Sequence, residues 1–197
     1  MRLITRYIAC GLLLVGFFQS CKKGEDDPLL SLRTRKNRIT GNWTLKSGYL
    51  DVHTENAPGV TDEHYEYSES DLSYKHVQKN SLETGVSHHL NIQFDKKGHF
   101  VVEEESNGNT FKAEGEWDFE DGQGKAKKKE YIQLKITSVL QGKTYYYDSF
   151  IKSNTHLVYR IKELRNKKLV LVSEKNMLYS FANAEKYWFE SQYEFTQ

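Results

Sequence analysis

Apolar and polar residues alternate along most of this chain. Trp43, Leu45, Ser47 and Tyr49 take every second position against Asn42, Thr44, Lys46 and Gly48, a period of two that predicts a half-buried strand. Leu90, Ile92 and Phe94 repeat it. Asp95-Lys96-Lys97-Gly98 then turns the chain, with Gly98 placed to take a positive φ, and Phe100 and Val102 return. Asn107-Gly108-Asn109 turns it again into the cleanest run. There Phe111, Ala113, Gly115, Trp117 and Phe119 share one face, and Lys112, Glu114, Glu116 and Asp118 the other. Gly115 in the middle predicts a bend or a close backbone approach.

Ile132, Leu134 and Ile136 alternate next, Gln141-Gly142 turns, and a further strand is expected over Tyr145 to Ile151. Leu157, Tyr159 and Ile161 precede Leu169 and Leu171 across Arg165-Asn166-Lys167-Lys168. Tyr187, Phe189, Ser191, Tyr193 and Phe195 carry the period to the end. No long helical period interrupts these runs, which argues against a doubly wound fold. Eight or nine strands joined by short turns predict an all-β fold, an antiparallel up-and-down β-barrel or strongly curved sheet over residues 41–197. Closing such a sheet removes its hydrogen-bonding edges. Trp43, Phe94, Phe100, Phe111 and Trp117 are expected inward, as are Ile132, Leu134, Ile136, Tyr159, Ile161, Leu169 and Leu171.

The first forty residues follow another pattern. Arg2 and Arg6 precede an apolar block, Tyr7 to Phe18, of secretory length and shorter than the roughly 20 residues a membrane span needs. The block runs through Gln19 and the small Ser20 into Cys21. This resembles the lipobox of bacterial lipoproteins, where the chain is cut just before a cysteine that carries lipid. The resemblance implies a leader over residues 1–20 and a lipid on Cys21 that holds the protein to the outer membrane. A plain secreted protein and a short anchor helix containing Cys21 are the alternatives. Several acyl chains, at roughly 0.8 kcal/mol per buried CH₂, would make such a tether stable. Lys22-Lys23-Gly24-Glu25-Asp26-Asp27 resembles the acid-rich export signal of surface lipoproteins of the phylum Bacteroidota, which implies display at the cell surface; a solvated linker is the alternative. Residues 21–40 form the tether and lead-in. Leu29, Leu32 and Ile39 suggest a short amphipathic helix or an extended segment, with Arg33, Arg35, Lys36 and Arg38 on a solvated face; contact with anionic headgroups is the alternative.

Charge narrows the partners. The chain has 28 Lys and Arg against 27 Asp and Glu, and loss of Arg2 and Arg6 with the leader brings the net charge from +1 to −1. That balance argues against nucleic acid, which asks for a concentrated basic face. Cys10 leaves with the leader and Cys21 takes the lipid, so neither a disulfide nor a free thiol remains in the domain. A core must supply the stability. Thirteen Tyr, ten Phe and three Trp against two Pro favour strands that can build one.

Several short motifs, in order, are similar to the family of bacterial lipocalin-like lipoproteins. They are Gly41-Asn42-Trp43-Thr44-Leu45, Phe94-Asp95-Lys96-Lys97-Gly98, Gly115-Glu116-Trp117, and Tyr159 to Leu164 followed by Leu169-Val170-Leu171. The resemblance spans roughly residues 40 to 175. It implies a small up-and-down barrel with room for an internal cavity, and no particular activity. The polar insert 56–87 departs from the family pattern. It is either a long loop or an extra hairpin of Tyr65–Tyr67 against Leu72–Tyr74.

Candidate chemistry is sparse. His88 and His89 are adjacent and point to opposite faces of a strand, and His99 lies across a hairpin from both. His53, His64 and His76 fall in or beside the insert, where a surface metal is conceivable, but no zinc-ligand spacing is present. Glu103-Glu104-Glu105 reads as a solvated strand edge. There is no nucleophile elbow and no phosphate loop, so neither an enzyme nor a cofactor is expected. Two functions compete. In the first, Trp117, Tyr145, Tyr147 and Tyr159 line a cavity for a small, largely apolar ligand. In the second the barrel is solid, and exposed Tyr65, Tyr67 and Tyr74 of the insert meet an envelope protein. Mass spectrometry of the mature protein should find an acylated N-terminal cysteine at position 21; any other N-terminus overturns the lipoprotein assignment.

Overall fold

The structure, a computed structural model, describes residues 33–56, 59–76, 81–120, 130–142, 150, 156–180 and 185–197. A short helix, α1 (Arg35–Ile39), leads into ten antiparallel strands. These are β1 (Gly41–Asn56), β2 (Gly59–Tyr67), β3 (Asp71–His76), β4 (Ser81–Phe94) and β5 (His99–Ser106). They continue as β6 (Asn109–Glu120), β7 (Tyr131–Gln141), β8 (His156–Leu164), β9 (Lys168–Ser180) and β10 (Glu185–Thr196). The strands close a barrel in which each pairs with its chain neighbour and β10 returns to β1. The all-β antiparallel barrel expected from the alternation is the fold observed, with ten strands among the described residues in place of the eight or nine expected, because the insert adds a hairpin.

The barrel has unequal ends. Where the chain enters, β1 pairs with β4, Gly41 opposite Phe94 and Thr44 opposite Asn91. Further along, the same strand pairs with β2 instead, from Gly48 opposite Tyr67 to Asn56 opposite Gly59. The β2–β3 hairpin is thus a wedge between β1 and β4. Eight strands surround the axis at the entry end, and ten at the other. The hairpin has the register read from the insert, Tyr65 opposite Tyr74 and Tyr67 opposite Leu72. One segment of polar sequence therefore widens one mouth of the barrel.

One strand expectation is corrected, and another falls almost wholly outside the described residues. β1 carries a bulge between Leu45 and Ser47, and one extra residue in a ladder moves every following side chain to the opposite face. Leu50 and Val52 consequently point in, while Ser47 and Tyr49 point out. Of the strand expected over Tyr145–Ile151, only Phe150 is described. It sits in a bend with its side chain buried, and β7 pairs directly with β8.

Trp43, Phe94, Phe100, Phe111, Trp117, Ile132, Leu134, Tyr159, Ile161, Leu169 and Leu171 are all buried as expected, and Ile136 is partly so. Helix α1 closes the narrow end over them. Ile39 is fully buried, its carbonyl accepts from Trp43 Nε1–H at 2.6 Å, and Thr34 caps the helix through the Asn37 N–H. Arg35 and Arg38 do not lie on a solvated face: both are buried. Arg38 Nη1 donates to the Leu164 carbonyl at 2.5 Å, and the Arg35 guanidinium lies 5.9 Å from the centre of the Phe119 ring. Gly115 meets the expectation of close approach, since a Cβ there would stand 2.0 Å from the Lys135 carbonyl oxygen. Among the described residues no helix is long and apolar enough to cross a membrane.

Candidate functional site

Strand alternation turns two ionisable side chains into the barrel. His88 follows the phase of Leu90, Ile92 and Phe94 on β4, and Glu104 that of Phe100 and Val102 on β5. They are 1% and 5% exposed, with His88 Nε2 3.0 Å from Glu104 Oε1. The same carboxylate accepts the Phe150 N–H, at 3.3 Å to Oε1 and 3.2 Å to Oε2. Tyr159 donates its hydroxyl to the Phe150 carbonyl at 3.0 Å. Both backbone groups of Phe150 are thereby held, and its ring fills the interior. It stacks on Tyr159 with centroids 5.1 Å apart and 9° between planes, and meets Tyr193 and Phe195 edge-on. Tyr67 covers His88 at 5.0 Å and Tyr193 at 5.6 Å. Burial, with smaller contributions from Tyr193 and Glu104, pushes the Tyr159 phenol well above its ordinary pKa of 10, so it acts as a neutral donor. His88 Nδ1 and, on β10, Ser191 Oγ are buried with no hydrogen-bond partner among the described residues.

A second cluster lies on the outside of the wall, toward the wide end. Asp51 on β1 is opposite His64 on β2 and Glu190 on β10, and His53 is opposite Asp62 and Trp188. These two rungs flank an open cleft of about 310 Å³. His64 Nδ1 is 2.6 Å from Asp51 Oδ1 and its Nε2 is 3.2 Å from Glu66 Oε1. His53 Nδ1 contacts Asp62 Oδ1, and the His53 ring lies 5.0 Å from that of Trp188. Tyr49 stacks loosely on His64 at 6.5 Å and reaches Glu190 at 3.5 Å. The cleft is aromatic on its walls and acidic at its rim. Partial burial draws the His64 pKa down, but hydrogen bonds from its ring to Asp51 and Glu66, and their charges, outweigh it, so the pKa stands above 6.5. Partial burial together with Glu190 and Asp51 raises that of Tyr49.

Of the residues singled out for a cavity, Trp117 and Tyr159 are described, and each is packed against other rings. Trp117 is buried between Phe94 and Phe119, each ring edge-on at about 5.5 Å, and donates Nε1–H to the Asp95 carbonyl. Tyr159 lies beneath Phe150. Tyr145, Tyr147 and the lipidation candidate Cys21 fall outside the described residues. Tyr65 and Tyr67, read as exposed contacts of the insert, are buried; the Tyr74 side chain is outside the described set. The solvated reading of Glu103-Glu104-Glu105 fails at its middle residue, whose even-numbered phase matches Phe100 and Val102. That signal was available in the sequence, as was the phase of His88. The outer cleft had none, because it joins β1, β2 and β10 and depends on closure. Among the described residues no three metal-ligating side chains converge.

No protein-family model matches the chain, and no curated protein matches it. Among solved structures, a lipocalin-like protein from Bacteroides uniformis ATCC 8492 is similar at 14% sequence identity, with a TM-score of 0.37. The alignment covers 77% of this chain and 96% of that one. A mutant of the vaccine antigen Transferrin Binding Protein B from Haemophilus parasuis Hp5 is similar at 12% identity, with a TM-score of 0.28. It is matched over 84% of this chain and 29% of its own, so this chain spans less than a third of its length. The similarity is one of fold. The barrel rests on its own strand register.

Two predictions test the geometry. Glu104→Ala leaves His88 Nε2 and the Phe150 N–H buried without their acceptor, at roughly 1–3 kcal/mol for each such group. Urea unfolding should show that loss, and the double variant Glu104→Leu/His88→Leu should recover part of it. A single variant as stable as the parent would mean the pair carries no structural load. For His64, a raised pKa makes its stabilising contribution complete below about 6.5 and lost as pH rises through the folded value. The melting temperature of the parent minus that of His64→Gln should therefore shrink between pH 6 and pH 8.5. A difference that grows with pH would reverse the sign.

Proposed function

We propose that the protein is a non-enzymatic binding module of the cell envelope, tethered at the outer membrane through lipid on Cys21, that meets a protein partner on the outer cleft of β10, β1 and β2. The observation that carries this reading is the Phe150 ring. It occupies the interior beside Tyr159, one of the residues expected to line a cavity for a small apolar ligand. The outer cleft is open, and its volume falls at the lower end of the range of ligand sites. Trp188 and two imidazoles beside carboxylates suit the aromatic and polar contacts typical of protein interfaces. His88 and Glu104 are sealed from solvent and so are unsuited to catalysis on an external substrate. The interior keeps one argument for a ligand of its own, the unpartnered His88 Nδ1 and Ser191 Oγ.

A photo-crosslinking residue at Glu190 on intact cells should give a discrete adduct. The same residue at Val139, 56% exposed on β7, should not. Trp188→Ala in the Glu190 background should reduce the yield about tenfold or more if the ring anchors the partner. Equal adducts from both positions, or none, together with a small molecule retained in native mass spectrometry, would favour the interior seat.

A further inference from the structure

The near-neutral chain is strongly polarised along the barrel axis. At the narrow end, α1 and the β4–β5 and β8–β9 turns bring Arg33, Lys36, Lys96, Lys97, Arg165 and Lys167 together, all exposed. Two of them are held in place. Arg33 Nη1 donates to Asn166 Oδ1 at 2.7 Å, joining the lead-in to the β8–β9 turn, and Lys36 Nζ lies 5.7 Å from the centre of the Trp117 ring. An open cleft of about 330 Å³ beside them is lined by Lys36, Lys97, His99 and Lys135, with Glu116 and Asp118 on its wall. Glu114 and Glu120 also lie on the narrow half of β6. Asp95 accepts the Lys97 and His99 N–H groups of its own turn, and Glu163 pairs with Arg165 and Lys168. The wide end has the opposite sign, with Asp51, Glu55, Asp62, Glu66, Glu103 and Glu105 on or near its strands. Of the lysines on its strands, Lys112 and Lys186 are paired with Glu103 and Glu55, and Lys75 and Lys175 lie on β3 and β9.

We infer that the narrow end docks on an anionic lipid surface and the barrel stands upright on it, with its acidic wide end turned away. Charge complementarity is one ground, since each cation close to an anionic bilayer contributes roughly a fivefold preference. The other is where the chain goes. The described chain begins at Arg33, at the narrow end, and residues 21–32 before it span at most about 40 Å. The inference draws on the Cys21 tether for proximity to the membrane, and on charge for orientation. A tether alone would leave the barrel free to tumble. Repulsion of the wide end and attraction of the narrow end remove that freedom and leave the outer cleft accessible.

The test is hydrogen exchange of the protein as its host produces it, in vesicles of phosphatidylcholine alone or mixed about two to one with phosphatidylglycerol. With the anionic lipid, the amides of α1 and of the turns around Lys96 and Lys167 should exchange more slowly, and those of β2 should not change. About 1 M NaCl, at a Debye length near 3 Å, should abolish the difference. So should Lys96→Glu/Lys97→Glu and, independently, Lys36→Glu/Lys167→Glu. Protection that is equal in both lipids, that appears at both ends, or that survives salt overturns the inference; salt-resistant protection in neutral lipid would point to a protein contact there. The N-terminal mass from the same sample reads the tether separately. An unacylated protein with salt-sensitive protection keeps the orientation and loses the tether.

Discussion

The interior of this barrel is organised by one buried carboxylate. Glu104 accepts from the backbone of Phe150 and pairs with His88, so residues of β4, β5 and the β7–β8 connection meet on a single group. An ionisable side chain in a core is costly unless its hydrogen-bonding capacity is used, and here at least three contacts use it. The consequence is geometric. Because the Phe150 N–H goes to Glu104 and its carbonyl to Tyr159, the ring lies flat on Tyr159 and edge-on to Tyr193 and Phe195. Among the described residues, Phe150 packs the interior at this level.

The wall and the ends are built by the same alternation. Sheet alternation that packs Val52 and Phe189 inward necessarily sets Asp51, His53, Trp188 and Glu190 outward, and closure of β1 on β10 joins them with residues of β2. The same topology separates charge. Alternate turns of an up-and-down barrel lie at opposite ends, so basic turns and acidic strand halves that are intermixed in the chain are sorted in space. A net charge close to zero conceals a molecule with a direction.

Much of the fold could be read from alternation, because a strand with one buried face must repeat every two residues. Phe111 to Phe119 has no other reasonable structure, and the turns at Gly98 and Asn107-Gly108 take the positive φ their residues suit. The insert's hairpin was visible as one of two possibilities. Reading failed where the period was interrupted or where residue type was trusted over phase. The bulge after Leu45 reversed Ser47 and Tyr49. Arginines near the start looked solvated by type, yet Arg35 and Arg38 cover the barrel floor with their guanidinium groups in the packed end. Glu104 has the acidic neighbours of a solvated edge, but its own place in the alternation turns it inward.

By itself the sequence determined the strands, most inward faces, the turns and the absence of cysteine cross-links in the domain, all of which depend on residues near one another in the chain. Only the tertiary structure decided the β2–β3 wedge, the Phe150 plug, the outer cleft and the two charged ends. Each of these joins residues far apart in sequence, and their pairing is set by register and closure, which no local pattern encodes.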